Sequence, residues 1–151
     1  MNNEELKSAL TAVNPNVTFD ETSEFMQAFV APADFRKFMK AIRNNADLEF
    51  DFLFCLTCID WKTNLTMVYH LLSKKHRHQL VVKVKLDDVN NPILETVCDI
   101  WKTANFHERE VYDLFGVKFN NHPDLRRILL DDEWEGYPLR KNYVDENMIS
   151  L

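Results

Sequence analysis

Apolar residues recur along this chain with two different periods. Between Pro32 and Asn44, Phe35, Phe38, Met39 and Ile42 fall at i, i+3, i+4 and i+7, while Arg36, Lys37, Lys40 and Arg43 take the other side. That spacing predicts an amphipathic helix over 32–44, with Pro32 suited to a first helical position. In "QLVVKVKL", residues 79–86, Leu80, Val82, Val84 and Leu86 alternate with Val81, Lys83 and Lys85, which predicts a strand with one wet face. Its hairpin partner is "LTMVYHLL" (65–72), joined to it through the basic turn "SKKHRH".

The remaining elements follow from weaker signals. Leu6 and Leu10 sit one turn apart in a short helix over 3–13, and residues 17–31 read as two short strands around a polar turn. "FDFLFCLTCIDW" (50–61) is a near-continuous apolar run, suited to a strand buried on both faces. Pro92 is read as opening a helix that carries Ile93, Val97 and Ile100 on one side. A last helix is expected over 104–115, ended by Gly116 as a left-handed cap. Beyond Phe119 the chain is rich in Asn, Asp and Pro and loses its periodicity, which predicts an extended tail. The resulting picture is an α+β fold: a two-layer sandwich of helices on a mostly antiparallel mixed sheet. Residues 1–119 form one domain and 120–151 an extended, loop-rich C-terminal interaction tail.

Composition removes several functions. At 151 residues, with 46% hydrophobic and 28% charged side chains, the chain has the bulk of one globular domain. A net charge of -6 opposes a broad attraction to nucleic acid or anionic lipid. The start, "MNNEELKSAL", lacks the pattern of a signal or transit peptide, and no apolar run approaches the length of a membrane span. Only two glycines are present, Gly116 and Gly136, so neither a Walker loop nor a dinucleotide fingerprint can be written.

Candidate ligand sets fare no better. Cys55 and Cys58 form a C-x-x-C, but with Cys98 the total is three cysteines, too few for a four-thiolate site. The pair lies in a predicted strand, where residues three apart face opposite ways, so buried thiols are the expected reading. His76 and His78 stand among cations in a turn that is expected to be solvated. "HEREV" (107–111) starts as a zincin helix does and fails at Val111, where the second histidine belongs.

The stretch 105–130, "NFHEREVYDLFGVKFNNHPDLRRILL", is of another kind. On its helix, His107, Val111, Leu114 and Phe115 form an apolar stripe. Glu108, Arg109, Glu110, Tyr112 and Asp113 occupy the rest of the circumference. Arg109 and Asp113 are spaced to pair, as is Glu110 with Arg126 or Arg127 if the tail folds back. An exposed, salt-bridge-laced helix and the core of a subunit interface fit this composition equally well.

These residues resemble the 30 kDa subunit family, the C subunit of proton-pumping NADH–quinone oxidoreductase (respiratory complex I). The family's pattern falls on Glu108, Arg109, Glu110, Asp113, Phe115, Gly116 and Phe119, then on the run from His122 to Leu129. A second block falls on Trp134, Glu135, Gly136, Pro138, Leu139, Arg140, Lys141 and Tyr143. The resemblance departs at Phe106, usually tryptophan, and at Asn121, usually glycine. It implies a structural protein with no catalytic residue, cofactor or metal of its own; FMN and the iron–sulfur clusters would sit in partner subunits. The partners implied are the D subunit and the B and I iron–sulfur subunits, at the cytoplasmic face of the inner membrane. Glu108, Arg109, Glu110, Asp113, His122, Pro123, Asp124, Arg126, Arg127, Trp134, Tyr137 and Arg140 are then expected at subunit boundaries, with Arg126 and Arg127 dispensable for folding. The equivalent subunit of a membrane-bound hydrogenase-type complex is an alternative. A stand-alone metal or redox protein built on "CLTC" is a more distant one.

Overall fold

In the computed structural model, which describes residues 2–149, three helices and seven strands follow one another in the order α1 (Asn3–Val13), β1 (Thr18–Asp20), β2 (Gln27–Phe29), α2 (Pro32–Asn44), β3 (Phe52–Asp60), β4 (Leu65–Ser73), β5 (His78–Leu86), β6 (Ile93–Glu95), α3 (Ala104–Phe115) and β7 (Lys118–Asn120). Met1 and the last two residues of the predicted tail lie outside the described residues. Five strands form one sheet in the order β1-β2-β5-β4-β3, antiparallel except for the β2–β5 pair. The architecture is α+β, as the alternating and helical periods predict.

Period and burial agree closely in the centre of the sheet. Leu80, Val82 and Val84 are fully buried and meet Leu71, Tyr69 and Met67 across the ladder. On α2, Phe35, Phe38, Met39 and Ile42 are buried, and the Phe35 ring lies 4.9 Å from Tyr69. Each fully buried side chain of this size contributes roughly 1.5–3 kcal/mol to the core. Helix α1 is fixed at its start by a capping box: the Asn2 side chain accepts from the Glu5 N–H at 2.8 Å, and the Glu5 carboxylate accepts from the Asn2 N–H at 2.9 Å.

Three expectations are corrected. Strand β3 is the edge of the sheet and is buried on one face only: Leu53, Leu56 and Cys58 point inward, while Phe52 and Phe54 remain exposed. Helices cover only that inner face, so an unbroken apolar run marks an edge strand here.

The helix read at Pro92 is instead strand β6, parallel to β7, with Leu94 opposite Phe119. The chain then turns through hydrogen bonds from the Ile100 and Trp101 N–H groups to the Val97 carbonyl. Apolar residues at i, i+4 and i+7 were met by a strand plus a turn, because pairing with a strand 25 residues onward outweighs local periodicity.

The "KKHRH" turn is not simply solvated. The His76 and His78 rings stack at 5.5 Å, and their Nε2 atoms lie 2.9 and 3.2 Å from the Ala46 and Leu48 carbonyls. The turn thereby closes over the loop that leads into β3.

Candidate functional site: the clasp of the C-terminal arm

Helix α3 begins where Thr103 Oγ1 donates to the Leu53 carbonyl on the open edge of β3. It ends at Gly116, whose φ of +73° supplies the left-handed cap. The helix packs against β3, the edge strand, with Ala104, Val111 and Phe115 in the core. The arm that follows β7 folds back along α3, and charged side chains hold it there.

Asp113 is fully buried and accepts four hydrogen bonds from side chain and backbone. Its Oδ1 takes the Arg127 Nη1 donor at 2.8 Å, and its Oδ2 takes the N–H groups of Ile128, Leu129 and Leu130 at 3.1, 2.7 and 3.0 Å. Burial pushes this carboxyl up, but the Arg127 guanidinium and the three amides offset it and hold it below the usual aspartate range. Arg127 also donates to the carbonyls of Trp134 and Gly136 at 2.9 and 3.0 Å, bending the arm around its own guanidinium.

Arg109, buried on the same helix, donates to the carbonyls of Arg126 and Arg127 at 3.2 and 3.3 Å. The anticipated Arg109–Asp113 pair therefore does not form, because each finds partners on the arm. Glu110 is exposed and makes no ion pair among the described residues, while Arg126 pairs with Asp124 at 3.0 Å on the surface.

Further along, Tyr137 lies between two guanidiniums, 5.3 Å from Arg127 and 5.1 Å from Arg140. Arg140 donates to the carbonyls of Phe115 and Val89. The Leu139 N–H donates to the Leu114 carbonyl at 3.1 Å, and the Lys141 N–H donates to Asp60 Oδ2 at 2.8 Å. Asp60, at the end of β3, carries no sequence signal for this role. Its partner lies 81 residues away.

A second buried group joins α3 to the loop after β6. Glu108 Oε1 accepts from the Val97 N–H at 2.8 Å, and Oε2 accepts from Thr96 Oγ1. Burial raises this carboxyl to about 7, against the pull of these two donors. His122 Nε2 lies 3.8 Å from Glu108, and the ligand atoms of Cys98, Glu108 and His122 all fall within 4.8 Å of one another.

That trio has the donor types of a divalent-metal site, but its hydrogen bonds are set for another purpose. The Asp124 N–H donates to His122 Nδ1 at 3.0 Å, so in the neutral ring Nε2 carries the proton, which it gives to the Asn105 carbonyl at 3.1 Å. A metal held through Nε2 would need that lone pair free and Nδ1 donating, and one held through Nδ1 would have to displace the Asp124 N–H. His122 acts instead as a peg that pins the start of the arm to α3.

Of the residues expected at subunit boundaries, the fold brings Glu108, Arg109, Asp113, His122, Arg127, Tyr137 and Arg140 together inside the clasp. Glu110, Pro123, Asp124, Arg126 and Trp134 face outward. His107 is only half-buried, and the buried residues of α3 are Ala104, Glu108, Arg109, Val111, Asp113 and Phe115. The cysteines do not cooperate. Cys58 points into the core, where burial pushes its thiol up to about 12, while Cys55 sits opposite His70 in the β3–β4 ladder.

Sequence reasoning also missed a shallow apolar groove between α3 and the arm. It has a volume of about 340 Å³ and is lined by Thr103, Phe106, His107, Glu110, Ile128 and Leu129. No helix among the described residues is long and apolar enough to cross a membrane.

Fold and site together define a small α+β domain whose buried charges clasp its own C-terminal arm. Residues 28–147 match the family described as "Respiratory-chain NADH dehydrogenase, 30 Kd subunit". Among similar proteins, the NADH-quinone oxidoreductase C/D subunit of Phocaeicola vulgatus is 50% identical over 104 residues, covering 68% of this chain and 20% of that protein. The corresponding C subunit of Chloroherpeton thalassium is 44% identical over 104 residues, 68% of this chain and 43% of that protein. The C subunit of a Roseiflexus species is 37% identical over 120 residues, 78% of this chain and 68% of that protein.

A solved structure of the membrane-bound sulfane sulfur reductase, an archaeal respiratory membrane complex, contains a chain that superimposes with a TM-score of 0.80. The two chains are 27% identical, over 93% of this chain and 85% of that one. The match thus spans a fifth and 43% of the first two relatives. The chain belongs to the 30 kDa subunit family of the respiratory-chain NADH dehydrogenase.

Proposed function

We propose that this chain is a structural, non-catalytic component of the peripheral arm of a proton-pumping NADH–quinone oxidoreductase. It docks on the D subunit and on the B and I iron–sulfur subunits at the cytoplasmic face of the membrane. FMN and the iron–sulfur clusters belong to those and other partners, and this chain holds none. The observation that carries the reading is the clasp itself. Buried charges that would suit catalysis are committed to fixing an arm whose apolar side chains Leu139, Val144 and Ile149 remain exposed. An arm held rigid while offering apolar surface is suited to a permanent hetero-oligomer. Relatives named as C/D subunits, in Phocaeicola vulgatus and Bacteroides thetaiotaomicron, support the D subunit as the neighbour.

In this division of labour Glu108, Arg109, Asp113, Arg127, Tyr137 and Arg140 position the arm, and Glu110, Pro123, Asp124, Arg126 and Trp134 meet the neighbours. The test is purification of the assembled complex from membranes through a tag on this chain. Recovery with the D subunit and an NADH-oxidising flavin subunit is expected, and recovery as a lone protein would overturn the proposal. The likeness to the sulfane sulfur reductase chain favours one second reading, the equivalent component of another respiratory membrane complex. A co-purified partner set without the flavin subunit would select it.

A further inference from the structure

We infer that the groove between α3 and the arm is a docking site for a cationic segment of a neighbouring subunit, anchored by one apolar side chain. This rests on the proposed place of the chain in a hetero-oligomeric complex and names a contact within it. The floor of the groove is Phe106, Ile128 and Leu129; Phe106 and Leu129 are each 63% exposed. Neither is needed by the core, whose aromatic and aliphatic positions are filled by other residues.

The groove is rigid. Arg109 places its guanidinium 5.7 Å from the Phe106 ring, and the Ile128 and Leu129 amides are tied to Asp113. A binding surface fixed in advance loses little entropy when its partner arrives.

Charge selects the partner. Glu110 lines the groove, and Asp131, Asp132, Glu133 and Glu135 follow Leu129 within six residues. All five are exposed, and none forms an ion pair among the described residues. Of the nearby cations, Arg126 pairs with Asp124 and Arg127 with Asp113, and Arg109 is buried with its guanidinium turned to the Arg126 and Arg127 carbonyls. An apolar floor with an uncompensated acidic flank fits a segment carrying a Leu, Met or aromatic anchor beside Lys or Arg, and repels an acidic one.

The test replaces Phe106 with the photo-crosslinker p-benzoylphenylalanine in the assembled complex and identifies the captured peptide by mass spectrometry. An apolar residue flanked by Lys or Arg, in a neighbouring subunit, is the expected product. An acidic peptide, a second copy of this chain, or no crosslink in an otherwise intact complex would overturn the inference. In parallel, Leu129→Asp should lower recovery of this chain with the complex by about tenfold, the effect of losing one central anchor. Glu110→Lys should weaken recovery and reduce its salt dependence. Because Leu129 is exposed, the isolated Leu129→Asp chain should keep its melting temperature. Wild-type recovery of both variants would sink the groove and leave the subunit assignment standing, whereas a tagged wild-type chain without partners would sink the assignment itself.

Discussion

The Asp113 carboxylate and the Arg127 guanidinium, 14 residues apart in the chain, meet at 2.8 Å in a site closed to solvent on the Asp113 side. The same carboxylate orders three consecutive amides, so one side chain fixes the path of the arm from Arg127 to Leu130. Asp113→Asn keeps the shape but removes the charge and offers an N–H where an acceptor is needed. It should cost about 3 kcal/mol, the scale for breaking a buried pair from one side. Hydrogen exchange at Ile128–Leu130 should rise well before global unfolding; unchanged protection there would refute the clasp. Arg127 charge reversal should likewise release the arm while the domain of residues 1–119 stays folded.

Gly116 combines a φ of +73° with the ring of Tyr137, which lies 2.5 Å from where a Cβ would stand. Gly116→Ala must therefore both strain the cap and push Tyr137 from between its two arginines. A loss of about 2 kcal/mol or more is expected in urea unfolding, above the roughly 1 kcal/mol of a left-handed alanine alone. Adding Tyr137→Ala should recover part of that loss. A double mutant no better than the sum of the singles would show that the ring and the cap are independent.

Two buried carboxyls give stability opposite dependences on pH. Glu108 has its folded pKa raised from 4.5 to about 7, so the folded chain binds more protons than the unfolded one in that window. Its contribution is greatest below pH 4.5 and is lost as pH rises through 7, by about 3 kcal/mol in all. Asp113 is shifted the other way. Its contribution is present at neutral pH and is lost as pH falls through a folded pKa below 3.8. Glu108→Gln should flatten the stability profile between pH 5 and 8, read by urea denaturation at a series of pH values. A retained slope would assign it to another group.

The thiols should separate by reactivity. Cys58 is buried with its thiol pushed up to about 12, whereas Cys55 and Cys98 are half-buried. Maleimide at pH 7.5 should label the latter two in the native chain and reach Cys58 only after unfolding, because the thiolate is the reactive form. Rapid native labelling of Cys58, followed by mass spectrometry, would contradict the packing role of "CLTC".

Much of the scaffold was legible because its signals are local. The i, i+3, i+4, i+7 spacing of Phe35, Phe38, Met39 and Ile42 gave α2 its bounds, and the alternation through Leu80–Leu86 gave the buried face of β5. Gly116 marked the end of α3 because only a residue free of Cβ strain takes that conformation readily. The resemblance carried by residues 108–143 led to the same family that the comparison of residues 28–147 identified. Strand β6 was not legible, since its pairing with β7 depends on residues brought near only by folding.

The sequence by itself determined the three helices, the strands up to β5, the α+β class and the family, but not β6 or β7. It also placed glutamate, arginine and aspartate on α3 without saying which way they face. Only the tertiary structure decided that Glu108, Arg109 and Asp113 turn inward and that Phe106 and Leu129 stay out. The physical reason is that a charge can be buried only where partners already wait. Those partners are backbone amides, backbone carbonyls and Arg127, separated in the chain by 11 to 18 residues. No local period encodes them. The closing of the arm makes a polar helix face into an interior one.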